Sequence, residues 1–136
     1  MKCFEYRHTI GFEETNVVGN VYYVNHLRWQ GRCREMFLRE HAPCVLEEIA
    51  RGLALVTTNC SCEYLEELSA FDPVVVSMRL SSIGQSRITM EFEYWRGETL
   101  VARGSQGVAC MRRENGVMRA EALPLKLRAA LEPYAR

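Results

Sequence analysis

One stretch, HLRWQGRCREMFLREH at residues 26–41, is the only long segment whose apolar residues recur at helical spacing; most of the chain after it alternates with period two. A single helix and a run of strands joined by short turns bury their apolar faces together when the helix lies on one face of an antiparallel sheet. Before the helix, residues 2–12 place Phe4, Tyr6, His8, Ile10 and Phe12 on one face, the pattern of a half-buried strand. After it come PCVLEEIARG, read as a short helical turn and connection, and LALVTTNCSCEYL, read as a second strand. Three more strands follow: Val74 to Ser81, Arg87 to Tyr94, and a longer glycine-interrupted run over 99–112. Gly84, Gly97 and Asn115-Gly116 supply turns, and a second, shorter helix is expected after Pro124. The expected class is α+β, a single domain over 1–136, with no internal repeat or linker.

Composition excludes several functions. The chain has 136 residues, 48% of them hydrophobic and 25% charged, enough for one domain with a real core. Its 17 basic and 17 acidic residues leave no net field, so neither nucleic acid nor an anionic membrane is an expected partner. No signal peptide and no apolar run near the roughly 20 residues of a membrane helix can be found, and a cytoplasmic location is expected. Six cysteines form no CxxC pair and no Cys/His cluster at zinc-finger spacing, so no metal site is expected. Cys60 and Cys62, two apart in a strand, are expected to pack as small hydrophobes. His8, on the apolar face of the first strand, is expected to be a satisfied core histidine rather than a catalytic one.

On a helical wheel, Arg28, Arg32, Glu35 and Arg39 lie within roughly 80° to 140° of Leu27 and form a solvent face. Trp29, Gly31, Cys33, Phe37 and Leu38 take the opposite arc, with Asn25 as the expected cap. Gly31 costs about 1 kcal/mol of helix propensity there, which predicts a close-packed neighbour. Arg34 lies about 20° from Leu27, on the face the helix should bury. A guanidinium cannot shed its charge, so Arg34 must be paired, snorkelling or functional. Trp29 and the alternating strands present more apolar surface than one helix covers, which predicts a homo-oligomer.

The segment ETNVVGN, residues 14–20, joins strand to helix. Gly19 and Asn20 satisfy the demands of a turn, which leaves Asn16 without a structural duty.

These features resemble the hotdog-fold thioesterases of the 4-hydroxybenzoyl-CoA thioesterase type. That family reads as an aromatic, Asp-x-Asp, a small spacer, Gly and an arginine-bearing helix. Here the corresponding run is Phe12, Glu14-Thr15-Asn16, Val17-Val18, Gly19 and WQGRCREMFL, and LPLKLRAAL resembles the usual C-terminal ending. The departure is Asn16, which stands where many members carry the catalytic aspartate and which cannot serve as a nucleophile or base as a carboxylate does. Asn16 together with Arg34 resembles the subgroup associated with enediyne polyketide synthases. Membership there implies release of a polyenyl β-ketoacyl chain from an acyl carrier protein, possible loss of carbon dioxide from the product, and no cofactor.

The resemblance also implies roles. Asn16 positions water or the thioester, while Arg34 and the backbone N–H of Tyr23 stabilise the oxyanion. Gly19, Thr58 and Asn59 are candidate substrate-binding residues, the last two reaching a neighbouring subunit's substrate or else facing solvent. Glu13 or Glu14 could replace the missing aspartate. The arginine face could dock an acidic carrier protein or be merely solvated. Sites between subunits imply a dimer or a homotetramer, a dimer of dimers. The alternatives are an acyl-CoA thioesterase of aromatic or fatty acyl metabolism and a non-catalytic acyl-binding hotdog protein.

Overall fold

The computed structural model describes residues 2–136. Its elements run β1 (Phe4–Thr9), α1 (Val24–His41), α2 (Pro43–Ala50), β2 (Leu53–Tyr64), β3 (Pro73–Ile83), β4 (Arg87–Arg96), β5 (Thr99–Glu114), β6 (Val117–Ala120) and α3 (Leu125–Leu131). The antiparallel sheet has the order β1-β3-β4-β5-β2, with β6 paired to the far end of β5. Both terminal hairpins turn where expected: Gly97 has φ +61°, and Asn115 and Gly116 have φ +51° and +77°, the pair of left-handed residues that suits the twist of a two-residue turn.

The core lies between α1 and the sheet. Trp29, Cys33, Phe37 and Leu38 face Val74, Val76, Met78 and Leu80 of β3 and Ile88, Met90, Phe92 and Tyr94 of β4, all of them buried. Each large side chain removed from water in this way contributes about 1.5–3 kcal/mol. Arg28, Arg32, Glu35 and Arg39 are exposed, so the wheel separates the faces of α1 correctly. Among the described residues, no helix is long and apolar enough to cross a membrane.

Several local expectations need correction. Helix α1 begins at Val24 with Tyr23 in the cap position, and Asn25 lies inside the first turn, its amide donating to the Glu14 carbonyl at 2.8 Å. Strand β1 ends at Thr9, the chain turns through a short 3-10 segment at Phe12–Glu14, and Phe12 is 74% exposed. A Cβ on Gly31 would meet nothing within 4 Å, so this glycine borders open space and not a packed neighbour. Cys60 is exposed and only its partner Cys62 is partly covered, because the middle of β2 has little packed over it. Trp29 is spent in the core, and the exposed apolar surface lies instead at Val17, Val18, Tyr22, Tyr23 and Phe71.

Candidate active site

The connection from β1 to α1 is built around Glu14. Its Oε1 accepts from the Gly11 N–H at 2.8 Å and from His8 Nε2 at 2.7 Å, and its Oε2 accepts from Trp29 Nε1 at 2.8 Å. Burial raises its pKa, but the hydrogen bonds from Gly11, His8 and Trp29, with the charge of His8, outweigh that and leave the carboxyl below its ordinary value. A carboxylate so occupied is a structural anchor and a poor base. His8 is satisfied on both sides, with Tyr6 Oη 3.1 Å from its Nδ1.

This anchor presents the turn that carries Asn16. The Asn16 N–H donates to the Asn20 carbonyl and the Gly19 N–H to the Asn16 carbonyl, both at 2.9 Å, and Gly19 takes φ +92°. Asn16 Oδ1 accepts from the Val18 N–H at 3.1 Å, an Asx-type closure. An aspartate could accept the same bond. With Oδ1 engaged, the group that Asn16 leaves exposed is its Nδ2, a donor with no partner among the described residues.

Tyr23 follows at the N-terminus of α1. Its carbonyl accepts from Tyr64 Oη at 2.7 Å, while its N–H has no backbone acceptor among the described residues. Free amides and the positive end of the helix dipole are the normal state of a helix start. Tyr23 and Tyr64 border a cleft of about 340 Å³ that also touches Asn20, Val21 and His26.

Arg34 is half-buried farther along α1. Its Nη1 donates to Gln106 Oε1 of β5 at 3.0 Å and to Thr57 Oγ1 of β2 at 3.2 Å. No carboxylate is in salt-bridge contact with it, since Glu35 is turned to Arg32 at 2.7 Å. Burial lowers the guanidinium's pKa from its ordinary value, and nearby Glu35 partly opposes this. Beside it, the ladder shifts between Thr57 and Asn59, making Thr58 the bulged residue. Thr58 and Asn59 are exposed, and Asn59 Nδ2 donates to Thr58 Oγ1 at 3.2 Å. Gly107 makes room for them, since a Cβ there would lie 2.6 Å from Asn59 Nδ2. A second cleft, about 670 Å³, is lined by His8, Glu13, Trp29, Gly31 and Arg34. Among the described residues no His/Cys/Asp/Glu cluster is arranged to hold a metal ion.

The candidate residues therefore fall into two groups. Asn16, Gly19 and Tyr23 share the N-terminal end of α1, whereas Arg34, Thr58 and Asn59 gather at the bulge of β2. From Tyr23 to Arg34 the helix rises about 16 Å. With its guanidinium held at Thr57 and Gln106, Arg34 cannot touch a carbonyl oxygen bound at the Tyr23 amide of the same chain. Sequence reasoning missed Gln106, Tyr64, His26 and the buried Gln30, whose Nε2 ties α1 to β2 by donating to the Ser61 carbonyl at 2.9 Å. Gln30 and His26 stand four and eight positions before Arg34, so the stripe that singles out Arg34 carried their signal too.

Residues 10–131 match the thioesterase-like superfamily, and the chain belongs to that family. Its curled antiparallel sheet around one long helix is the hotdog fold, and the protein is a thioester hydrolase. A dynemicin thioesterase, whose crystal structures record polyene binding, is 47% identical, with 99% of each chain covered and a TM-score of 0.96. A hypothetical protein from Aquifex aeolicus is 25% identical, covering 94% of this chain and 98% of its own, at a TM-score of 0.86. A 4-hydroxybenzoyl-CoA thioesterase complexed with 4-hydroxybenzoyl-CoA shares the fold at 16% identity and a TM-score of 0.85, covering 96% of this chain and 99% of its own.

Proposed function

We propose that the protein releases a polyenyl β-ketoacyl chain from an acyl carrier protein in enediyne-type polyketide biosynthesis. The observation that carries this reading is the pairing of free donors, Asn16 Nδ2 and the Tyr23 N–H, with an arginine that no carboxylate neutralises. The similarity to a dynemicin thioesterase over nearly the whole chain supports the substrate class.

The catalytic unit is a composite of two protomers. Asn16 and the Tyr23 amide of one protomer meet Arg34, Thr58 and Asn59 of the other, because the helix separates the two groups within one chain. Strand β2 pairs only with β5, so its outer edge is open among the described residues and suits a second copy. The exposed Val17, Val18 and Tyr22 beside Asn16 supply apolar surface for the same contact. The complete assembly is a homotetramer, a dimer of dimers.

Water adds to the thioester carbonyl, negative charge develops on its oxygen, and the carrier's thiolate departs and is protonated, leaving a free acid and a thiol. Asn16 Nδ2, the Tyr23 N–H and the Arg34 guanidinium donate to that oxygen or hold the water, which is electrostatic stabilisation by donors fixed in advance. Glu14 is too fully bonded to be the base. Glu13, exposed at the second cleft, is the remaining carboxylate of the pair. A free β-keto acid then loses carbon dioxide, in the site or after release. The exposed Arg28 and Arg39 face an acidic carrier protein.

Matched hydrolysis of one acyl chain on carrier protein and on coenzyme A, followed by thiol release and mass spectrometry, tests this. The carrier-protein form should be turned over with the higher kcat/KM and should yield acid and carbon dioxide. Faster turnover of an aromatic or simple fatty acyl-CoA would contradict it.

A further inference from the structure

His26 is 3% exposed, and neither Nδ1 nor Nε2 has a hydrogen-bond partner; Asn20 Oδ1 is likewise buried and unpartnered. Both residues line the cleft of about 340 Å³ that Tyr23 and Tyr64 border. A buried polar group left unmatched is costly, and native structures contain few. Three such atoms on two residues that line one cleft mark a place where a ligand group completes the bonding.

The one backbone group that acts on the ring, the Tyr23 carbonyl, already accepts from Tyr64 Oη and makes no hydrogen bond of proper geometry with either ring nitrogen. Tyr94 Oη donates to the His26 backbone carbonyl at 2.7 Å and not to its ring, and Tyr64 Oη is spent on Tyr23. The ring is walled by Tyr64, Trp29 and Tyr94, at 4.7, 5.0 and 5.5 Å between centroids. Burial pushes the imidazole pKa down to about 4, an effect the Tyr23 backbone offsets only in part, so at neutral pH the ring offers one N–H and one lone pair. Asn20 Oδ1 adds an acceptor. Glu66 and Glu67 line the same cleft, which disfavours a phosphate or carboxylate and leaves an uncharged oxygen function as the matching ligand. His26 lies one helical turn beyond Tyr23, a rise of about 4.5 Å, so an acyl group whose carbonyl meets the Tyr23 amide passes its first few carbons by the imidazole.

We propose that His26 is a specificity-determining contact for a hydroxyl or oxo group carried on the acyl chain close to its thioester carbonyl. This rests on thioester hydrolysis at the Tyr23 end of the cleft. An alkyl chain of equal length leaves the imidazole unpaired, whereas an oxo group accepts from its N–H and a hydroxyl can also donate to its lone pair or to Asn20 Oδ1, and a site built to hydrogen-bond its substrate discriminates strongly against the analogue that lacks the group.

The test compares 3-oxoacyl-, 3-hydroxyacyl- and unsubstituted acyl-CoA of one chain length in the wild type, His26→Gln and His26→Phe. The wild type should favour an oxygenated substrate over the plain one by about tenfold or more in kcat/KM. His26→Phe should bring that ratio close to one, and His26→Gln should keep part of it. In parallel, the ring ¹⁵N resonances of wild-type His26 should shift on addition of a hydrolysis-resistant 3-hydroxyalkyl thioether of coenzyme A, and not with the plain alkyl thioether. An unchanged ratio in His26→Phe, or ring nitrogens indifferent to the ligand's oxygen, overturns the inference and leaves an imidazole satisfied by trapped water alone. If the wild type hydrolyses none of these thioesters while its His26 still distinguishes the two thioethers, the His26 inference stands and the reading of hydrolysis at this cleft fails. Should His26→Phe not fold, the ¹⁵N measurement on the wild type decides.

Discussion

Arg34 donates to Gln106 Oε1 at 3.0 Å across the gap between α1 and β5, and a neutral amide thus holds a guanidinium that a carboxylate would neutralise. The arrangement fixes direction while leaving the charge available to a substrate. Lysine cannot reproduce it, since a point charge on a flexible stem lacks the planar fork. Arg34→Ala should lower turnover by about 10² to 10³, the usual effect of losing one oxyanion donor, and Arg34→Lys should lose much of the activity. Arg32→Ala, on the solvent face, should leave hydrolysis of a small acyl-CoA nearly unchanged. Steady-state kinetics with melting curves on all three variants checks this; near-normal turnover in a stable Arg34→Ala would refute it.

Asn16 separates geometry from charge. Asn16→Asp retains the acceptor that closes the turn on the Val18 N–H but loses the Nδ2 donor. It should therefore fold with an unchanged melting temperature and turn over more slowly, with an altered pH profile. Asn16→Ala loses both groups and should be the slower or equally slow enzyme. Wild-type rates in Asn16→Ala would remove the residue from the reaction.

Glu14 should matter to stability before chemistry. Replacing it by Gln weakens three hydrogen bonds, including the one from His8, and should destabilise the fold by about 2 kcal/mol. Its carboxyl pKa is lowered in the folded state, so the stabilisation is present above its ordinary pKa of 4.5 and is lost as pH falls through the folded value. Denaturant melts of wild type and Glu14→Gln should accordingly converge in acid.

His26 acts at a higher pH. Its folded pKa of about 4 lies below the ordinary 6.5, so between those values the unfolded chain binds a proton that the folded chain excludes. Stability should be full above pH 6.5 and should decline as pH falls toward 4, by on the order of 3 kcal/mol at most. A pH series of urea melts should show this slope in the wild type and a flatter one in His26→Phe.

Where sequence could be read, periodicity did the work. The arc of Trp29, Cys33, Phe37 and Leu38 and the alternation of β3 and β4 follow from repeated contact with one core, which leaves a repeated mark. The start of α1 does not, because Asn25 bonds a carbonyl outside the helix and so resembles a cap without being one. The Thr58 bulge and the seat of Gln106 depend on register between β2 and β5, which neither strand encodes alone. Gly31 drew attention correctly but for the wrong cause, since a missing side chain serves a cleft as well as a close contact. Arg34 was legible because charge on an apolar stripe requires a reason, while the uncharged Gln30 and His26 on the same stripe demanded less.

The proposed composite site makes one measurement decisive. Asn16→Ala and Arg34→Ala chains, co-expressed with different tags and purified as mixed dimers, pair the intact Asn16 of one chain with the intact Arg34 of the other at one of the two sites. If the site is shared, the mixed dimer should recover about half of the wild-type turnover although each parent is nearly inactive, as two-fold symmetry requires. If instead the mixed dimer is no more active than its parents, Asn16 and Arg34 do not act across the interface and the mechanism proposed for this thioesterase is wrong.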